Sequence, residues 1–348
     1  MDKQYIVKNL QENLPKMTDV KLQPSIHNKT ESKWSKCFEC EKGKELDMLV
    51  NIFRLNRDKR LENLFESATS GDGDELAKSS GQHDSAKMLT LHSSSLLAFL
   101  CFSHVNKDCP IKINDVEYVE VLFEIKNDVI SPSLGKPSNI DVVLLNEDRS
   151  KILLLESKFT EYLNGGRAYL SPERYKKFFD ELLLSKGPQF NFEASYMEVT
   201  HKADKEHSND YTTSEYCLHQ GDRTMGYLGG IKQAFSHLLG IATGPALIQS
   251  ETNTHYKEIL DNVEKINFAT IVYNCDDGKF KAYSDLYNSV FKHEDIIKDS
   301  IRKVVSKSES IDKLKIYPSL LTYQEIFEDY QLPKNICEFY KLGQNNNG

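Results

Sequence analysis

The feature that most constrains the fold is a pair of short apolar runs, Ile140–Leu145 and Ile152–Leu155, separated by the polar cluster Asn146–Ser150. Each run is strand-length and rich in leucine or β-branched residues, and the cluster between them has the composition of a turn, so the segment reads as a β-hairpin. Both runs are apolar almost throughout, with no polar alternation. Strands of that kind are covered on both faces, which places the hairpin at the centre of a sheet packed by helices. The expected fold class is therefore α/β, with a mixed central sheet flanked by helices and helical embellishments at both ends.

Three charged residues sit on this buried hairpin: Asp141, Glu156 and Lys158. Charged side chains are almost never buried without a partner or a metal, so their placement needs a cause. Glu156 and Lys158 are two apart on a strand and point to the same face. A loop of even length centred on Asp148–Arg149 puts Asp141 directly opposite Glu156, with Cβ atoms about 4.5–5.5 Å apart. An odd loop would put the two acids on opposite faces. Facing carboxylates repel, and one of them titrates high unless a cation sits between them. A hard divalent ion is the natural resident, and Mg²⁺ keeps the waters that hydrolysis needs. On spacing alone, a solvated hairpin whose charges flank a core strand fits the same residues, in a chain with 52 acidic and 44 basic side chains.

The whole chain sets wider bounds. Its 348 residues can bury a substantial core, and 39% hydrophobic with 28% charged residues is ordinary for a soluble globular protein. The longest apolar run, Leu96–Phe102, is far short of the roughly 20 residues that span a bilayer. The N-terminus lacks an apolar stretch of the secretory kind, and an odd number of scattered cysteines, seven, argues for reduced thiols. A cytoplasmic protein without a membrane partner is the expectation. A net charge of −8 does not advertise a nucleic-acid binder. It does not exclude one, because the local field where phosphates dock is what matters. Lys298–Lys315 and Lys151–Gly187 carry a modest positive excess that suits either a groove or a solvated face.

Along the chain, residues 1–35 read as a loosely ordered arm, 36–342 as a single elaborated domain and 343–348 as a disordered tail. Cys37-x-x-Cys40 lacks a second pair at zinc-site spacing. Helical periodicity marks Glu45–Phe65, and serines at 93–95 would cap a buried helix running to Phe102. Backbone N–H groups at such an end can hold a phosphate, although capping alone explains the serines equally well. Val116–Lys126 alternates as a strand, with Glu120, Glu124 and Lys126 on one face. Ser171-Pro172 opens a helix, Lys186–Arg223 has no clear period and reads as an irregular excursion or lid, and Gly229–Ile241 is helical. Asn267–Asn274 reads as a further strand. Ser284–Val305, Thr322–Tyr330 and Asn335–Leu342 read as helices.

Ile-Asp-Val-Val-Leu-Leu followed by Ile-Leu-Leu-Leu-Glu-Ser-Lys-Phe resembles the core signature of the PD-(D/E)XK phosphodiesterases, the restriction-endonuclease-like superfamily. The proline of that motif is absent before Asp141, and Pro137 lies four residues upstream. Taken together, Thr90–Phe102, Phe123–Lys158 and Tyr227–Ile241 look like a bacterial branch of such proteins, a likeness that would extend over most of the chain. The resemblance implies a Mg²⁺-dependent nuclease, with Mn²⁺ able to substitute, acting on nucleic acid and on DNA foremost; a homodimer is compatible with it. Asp141, Glu156 and the Ser157 carbonyl would hold the metal, and Lys158 would orient the attacking water. A third carboxylate often comes from ahead of the core sheet in this superfamily: Glu75 is the first candidate and Glu124 the second. Gln233 matches the glutamine that several exonuclease-like branches carry on a helix after the catalytic strands. His237 takes the place of their aromatic residue and reads equally as a satisfied core histidine. The alternative is a catalytically silent binding or assembly module that keeps the fold.

Overall fold

In the computed structural model the chain is described over residues 2–14, 20–25, 34–69, 87–128, 137–163, 168–170, 172–184, 190–201, 203, 207–221, 226–246, 251–305 and 308–343. It starts with α1 (Lys3–Asn13), a ribbon of β1 (Leu22–Pro24) and β2 (Lys36–Phe38), and helices α2 (Glu45–Phe53), α3 (Lys59–Thr69) and α4 (Ser94–Phe102). A small hairpin, β3 (Ile111–Ile113) and β4 (Val116–Tyr118), leads into β5 (Glu120–Asn127), β6 (Ser138–Leu145) and β7 (Lys151–Lys158). Next come β8 (Ala168–Leu170), α5 (Pro172–Leu184), and the strands β9 (Glu193–His201) and β10 (Tyr211–His219). Helices α6 (Gly226–Thr243) and α7 (Glu251–Asn262) precede β11 (Lys265–Val272), which is followed by α8 (Asp277–Phe291), α9 (Glu294–Val304) and α10 (Glu309–Lys313). Short elements close the chain: β12 (Leu314–Ile316), β13 (Leu321–Thr322), α11 (Tyr323–Ile326) and α12 (Lys334–Tyr340).

The fold is α/β. Its main sheet runs β12-β11-β7-β6-β5, with β13 also on β11. β5, β6 and β7 are antiparallel neighbours, whereas β11 is parallel to β7, β12 and β13, so the sheet is mixed. The apolar runs of the hairpin lie in its middle, and Val142–Leu145 and Ile152–Leu155 are fully buried. Glu156 and Ser157, adjacent on β7, point to opposite faces. Ser157 Oγ reaches the Ser94 carbonyl of α4, while Glu156 meets His237 of α6, so the two helices cover opposite sides of the sheet. One contiguous apolar cluster runs from Ile6 to Leu342.

Several elements differ from the sequence reading. Residues 1–35, expected as a loose arm, contain α1, whose Ile6, Val7 and Leu10 are buried. Glu45–Phe65 is two helices instead of one. Arg54 ends α2 in the left-handed region, with φ 56°, and Asp58 starts α3 by accepting the Leu61 N–H at 2.7 Å. A side chain that bonds its own backbone competes with helix continuation. Ser284–Val305 likewise divides at Lys292–His293 into α8 and α9, and Thr322–Tyr330 shortens to α11. The largest correction is Lys186–Arg223. It holds the nine-residue strands β9 and β10, paired antiparallel and joined on the far side by β8. β9 is exposed or half-buried at all but one position, so no buried face imposes an alternating pattern on its sequence.

Three of the six basic residues of Lys298–Lys315 form ion pairs: Lys298 with Glu294, Arg302 with Asp299 and Asp312, and Lys303 with Glu181. That is the behaviour of a solvated face. All seven cysteines are thiols, and Cys37 donates to the Gln23 carbonyl at 3.5 Å. No described helix is long and apolar enough to cross a membrane.

Candidate functional site

The site forms where the sheet opens. β6 and β7 pair from Leu145–Ile152 to Val142–Leu155. This is the even-loop register, and its next step sets Asp141 against Glu156. The ladder stops there, and the Asp141 carboxylate takes over, its Oδ2 accepting the Ser157 N–H at 2.7 Å. On the other side of β6, the β5 ladder pairs Phe123 with Val142 and resumes at Ile125 with Ile140. The residue skipped is Glu124, opposite Asp141, held at φ 54°. A left-handed backbone costs a non-glycine residue roughly 1–2 kcal/mol. Strain of this kind persists only where the surroundings impose it, and it clusters at functional sites. Asp141 thus lies between two acids at an interruption of both ladders.

Glu156 is 2% exposed, Lys158 6% and His237 4%. The Lys158 ammonium bonds Glu156 Oε1, and His237 Nε2 lies 2.6 Å from Oε2. An ionised carboxylate only accepts, so Nε2 donates. The other ring nitrogen of His237, Nδ1, is 2.5 Å from Ser138 Oγ. Both oxygens of Glu156 are therefore taken by cationic or N–H donors, and the histidine is oriented from its far side by the first residue of β6. Ser157, on the opposite face, bonds Tyr323 Oη at 2.8 Å and tethers the strand to α11.

The electrostatics divide the two acids. Burial alone would raise Glu156, but Lys158 and then His237 outweigh it and hold the carboxyl down to about 2. Asp141 is pushed well above the usual carboxylate range by burial, by Glu156 and by Glu124, against smaller opposing effects of Lys158 and the Ser157 N–H. For Lys158 burial would favour the neutral amine, yet Glu156, Glu161 and Asp141 together raise its pKa, so it stays an ammonium.

These groups open onto a cleft of about 730 Å³. Its walls include Ser93–Ser95 at the start of α4 and Lys232, Gln233 and Ser236 of α6. Ser93 caps α4, accepting the Leu96 N–H at 3.2 Å. Burial and the nearby Lys158 charge push Lys232 down, and among the described residues it makes no ion pair. Gln233 lines the same cleft, and its amide has no hydrogen-bond partner among the described residues.

The structure brings together Asp141, Glu156, Lys158 and Gln233, with the Ser157 backbone bonded to Asp141. Glu75 lies outside the described residues, whereas Glu124 is in the cleft wall beside Asp141. His237 is a satisfied buried histidine and at the same time the direct partner of Glu156. Sequence reasoning placed it next to Gln233 by helical spacing, but its link to Glu156 spans 81 positions and leaves no local signal. Ser138 carries no such signal either, and Lys232, which precedes Gln233 in the helical motif, has no role assigned to it by sequence.

The donor set fits a hard cation in kind. Asp141 and Glu124 are neighbouring carboxylates in the cleft wall, and burial first, then Glu156 and Glu124, push the Asp141 carboxyl up. Glu156 fits on a condition: one of its oxygens must exchange Lys158 or His237 for the ion. Among the described residues, no group of three or more His, Cys, Asp or Glu side chains is already placed to hold a metal. Compared with known protein families, with curated proteins and with solved structures, the chain matches none of them.

Proposed function

We propose that the chain is a metal-dependent nuclease of the PD-(D/E)XK type, hydrolysing phosphodiester bonds in nucleic acid, with DNA the first expectation. The observation that carries this reading is the convergence of Asp141, Glu156 and Lys158 on one face of the central sheet, at the mouth of a cleft and beside a strained Glu124. A structural hairpin gains nothing from a buried Glu156–Lys158 pair with the Asp141 carboxylate set beside it, because each charge costs desolvation.

Asp141 and Glu156, with the Ser157 carbonyl, would hold Mg²⁺ or Mn²⁺. When bound, such an ion lowers the pKa of a water and stabilises charge on the scissile phosphate. The remaining work falls to the side chains. Lys158 stays protonated, so it orients the water and meets the developing negative charge; it is not the base. His237, fixed by Ser138, keeps Glu156 directed into the cleft. Lys232, which makes no ion pair among the described residues, would meet a phosphate. Gln233, whose amide makes no hydrogen bond among the described residues, would offer a donor and an acceptor to substrate or water.

The occupied oxygens of Glu156 favour a second reading, in which the ion pair is permanent and the cleft binds nucleic acid without turnover. Incubation of plasmid and single-stranded DNA with Mg²⁺ or Mn²⁺ separates the two. Wild type is expected to cut and Glu156→Ala is not. If wild type binds both DNAs and leaves them intact with either metal, the second reading stands. If Glu156→Ala cuts as fast as wild type, the site is misplaced.

Glu124 supplies the third carboxylate in this account. Glu124→Gln is expected to lower cleavage about tenfold or more, the lower range for a group acting on the transition state. Glu75→Gln is expected to cost less. The reverse ranking in single-turnover rates would return the role to Glu75.

A further inference from the structure

Beside the cleft lies a second, smaller cavity of about 100 Å³. It shares Lys158, Glu161 and Gln233 with the cleft and is otherwise lined by Tyr162, Tyr227, Tyr283 and the glycines at 229 and 230. The Tyr283 ring is tilted only a little from each of the other two: Tyr162 and Tyr283 have centroids 5.9 Å apart at 25°, and Tyr227 and Tyr283 are 6.4 Å apart at 19°. Gly230 is what allows the Tyr283 hydroxyl to approach α6, since a Cβ there would collide with it.

The hydroxyls differ. Tyr162 donates to the Tyr273 carbonyl at 3.0 Å and accepts the Cys275 N–H at 2.8 Å. Tyr227 donates to Gln220 at 3.2 Å. Tyr283 is fully buried, and its hydroxyl has no hydrogen-bond partner among the described residues. Leaving a buried hydroxyl unmatched is costly; the Tyr216 and Tyr340 hydroxyls share this state, and what sets Tyr283 apart is that it lines the cavity. The half-buried Gln233 amide at the shared rim also makes no hydrogen bond among the described residues. A site lined by aromatic rings and holding unanswered hydrogen-bonding groups suits a flat heterocycle with a polar edge. Its volume is several times the roughly 10–15 Å³ that admits one water, which is room for one heterocycle and too little for a base pair.

We propose that this cavity receives one unpaired nucleobase of a single-stranded substrate, the tyrosine rings stacking on it while the Tyr283 hydroxyl and the Gln233 amide bond its polar edge. The inference rests on the nucleic-acid reading of the adjoining cleft and narrows its substrate to strands with an unpaired base next to the bond at Lys158. Base-to-aromatic stacking tolerates any base, so the pocket selects for unpairing and not for sequence.

The experiment is an abasic-site scan with the full chain. Binding of a short single-stranded oligonucleotide is measured in Ca²⁺, with each nucleotide in turn replaced by an abasic one. Wild type is expected to lose about tenfold or more in affinity at one position, the scale of a single stacked base. Tyr227→Leu, which alters a half-buried wall, should bind the intact strand about tenfold more weakly and show no special position. Tyr283→Phe keeps the packing and should weaken the intact strand about threefold, the scale of one neutral hydrogen bond. A flat scan in wild type, the same peak in Tyr227→Leu, or no binding of the oligonucleotide overturns the pocket. The scan reads binding only and turnover is read separately in Mg²⁺ or Mn²⁺, so the two ideas fail separately: a peaked scan without turnover removes the nuclease and keeps the pocket, and turnover with a flat scan does the opposite.

Discussion

Lys158→Met is expected to abolish cleavage and, measured alone, to destabilise the protein by about 3–5 kcal/mol, the usual result of leaving half of a buried ion pair behind. Lys158 and Glu156 are both almost fully buried and bonded to each other. Methionine fills the space of the lysine stem but leaves Glu156, among the described residues, with the His237 N–H as its remaining side-chain donor. In domains of 150–250 residues each kcal/mol moves Tm by about 2–4 °C, so a loss of several degrees should be seen. The double variant Glu156→Gln with Lys158→Met removes both charges and is expected to recover most of that loss. Neither variant should cut. The catalytic loss should reach about a hundredfold or more, near 2.7 kcal/mol, the scale of one preorganised electrostatic group.

The pH dependence gives an independent check. Glu156 is depressed in the folded state, so its contribution is complete above the unfolded value near 4.3 and is lost as pH falls toward its folded value. The stability gap between wild type and Lys158→Met should therefore be widest near neutrality and narrow below about pH 4. Denaturant melts at pH 7 and pH 3.5 would show it. An equal gap at both values would mean that Lys158 stabilises through its stem alone. A single variant that cuts like wild type would remove Lys158 from the mechanism.

How much of this was legible in the chain follows from how locally each feature is encoded. The hairpin was readable because its register depends only on the parity of a short loop and on two apolar runs. That is why Asp141 and Glu156 met as expected, and why Lys158 fell on the same face. Gln233 was readable as a helical position, but not its cavity, which needs β7 and α8 brought alongside. The environment of Glu156 was not readable, since His237 and Ser138 reach it from distant elements. The β9–β10 pair was invisible because β9 buries little of either face, and burial is what writes alternation into a strand. Glu124 looked like one polar position in an alternating strand. Only the left-handed φ and the gap in the ladder opposite Asp141 set it apart from Glu120 and Lys126.

Asp141→Asn is the substitution expected to stabilise the protein while disabling it. The Asp141 carboxyl titrates high in the folded state, first through burial and then through Glu156 and Glu124. The sign follows from linkage. A group whose pKa is raised on folding favours the native state below its unfolded value near 3.9, and that advantage disappears as pH rises through the folded value. Above the unfolded value, Asp141 is thus a net cost in the metal-free protein. Asparagine removes the charge and keeps an oxygen to accept the Ser157 N–H. The metal-free variant should melt above wild type at pH 7, with little difference near pH 4 and a gain that grows between them. A divalent ion offsets the same cost in wild type by binding: at one hundred times its Kd it adds about 2.7 kcal/mol. Mg²⁺ and Mn²⁺ should therefore raise the Tm of wild type and leave Asp141→Asn unmoved, so that the two melting curves approach each other as metal is added. A variant that keeps the full metal shift would show that the ion binds elsewhere. A metal-free variant less stable than wild type at pH 7 would show that Asp141 is held charged by a partner, and that the crowding of Glu124, Asp141 and Glu156 is structural.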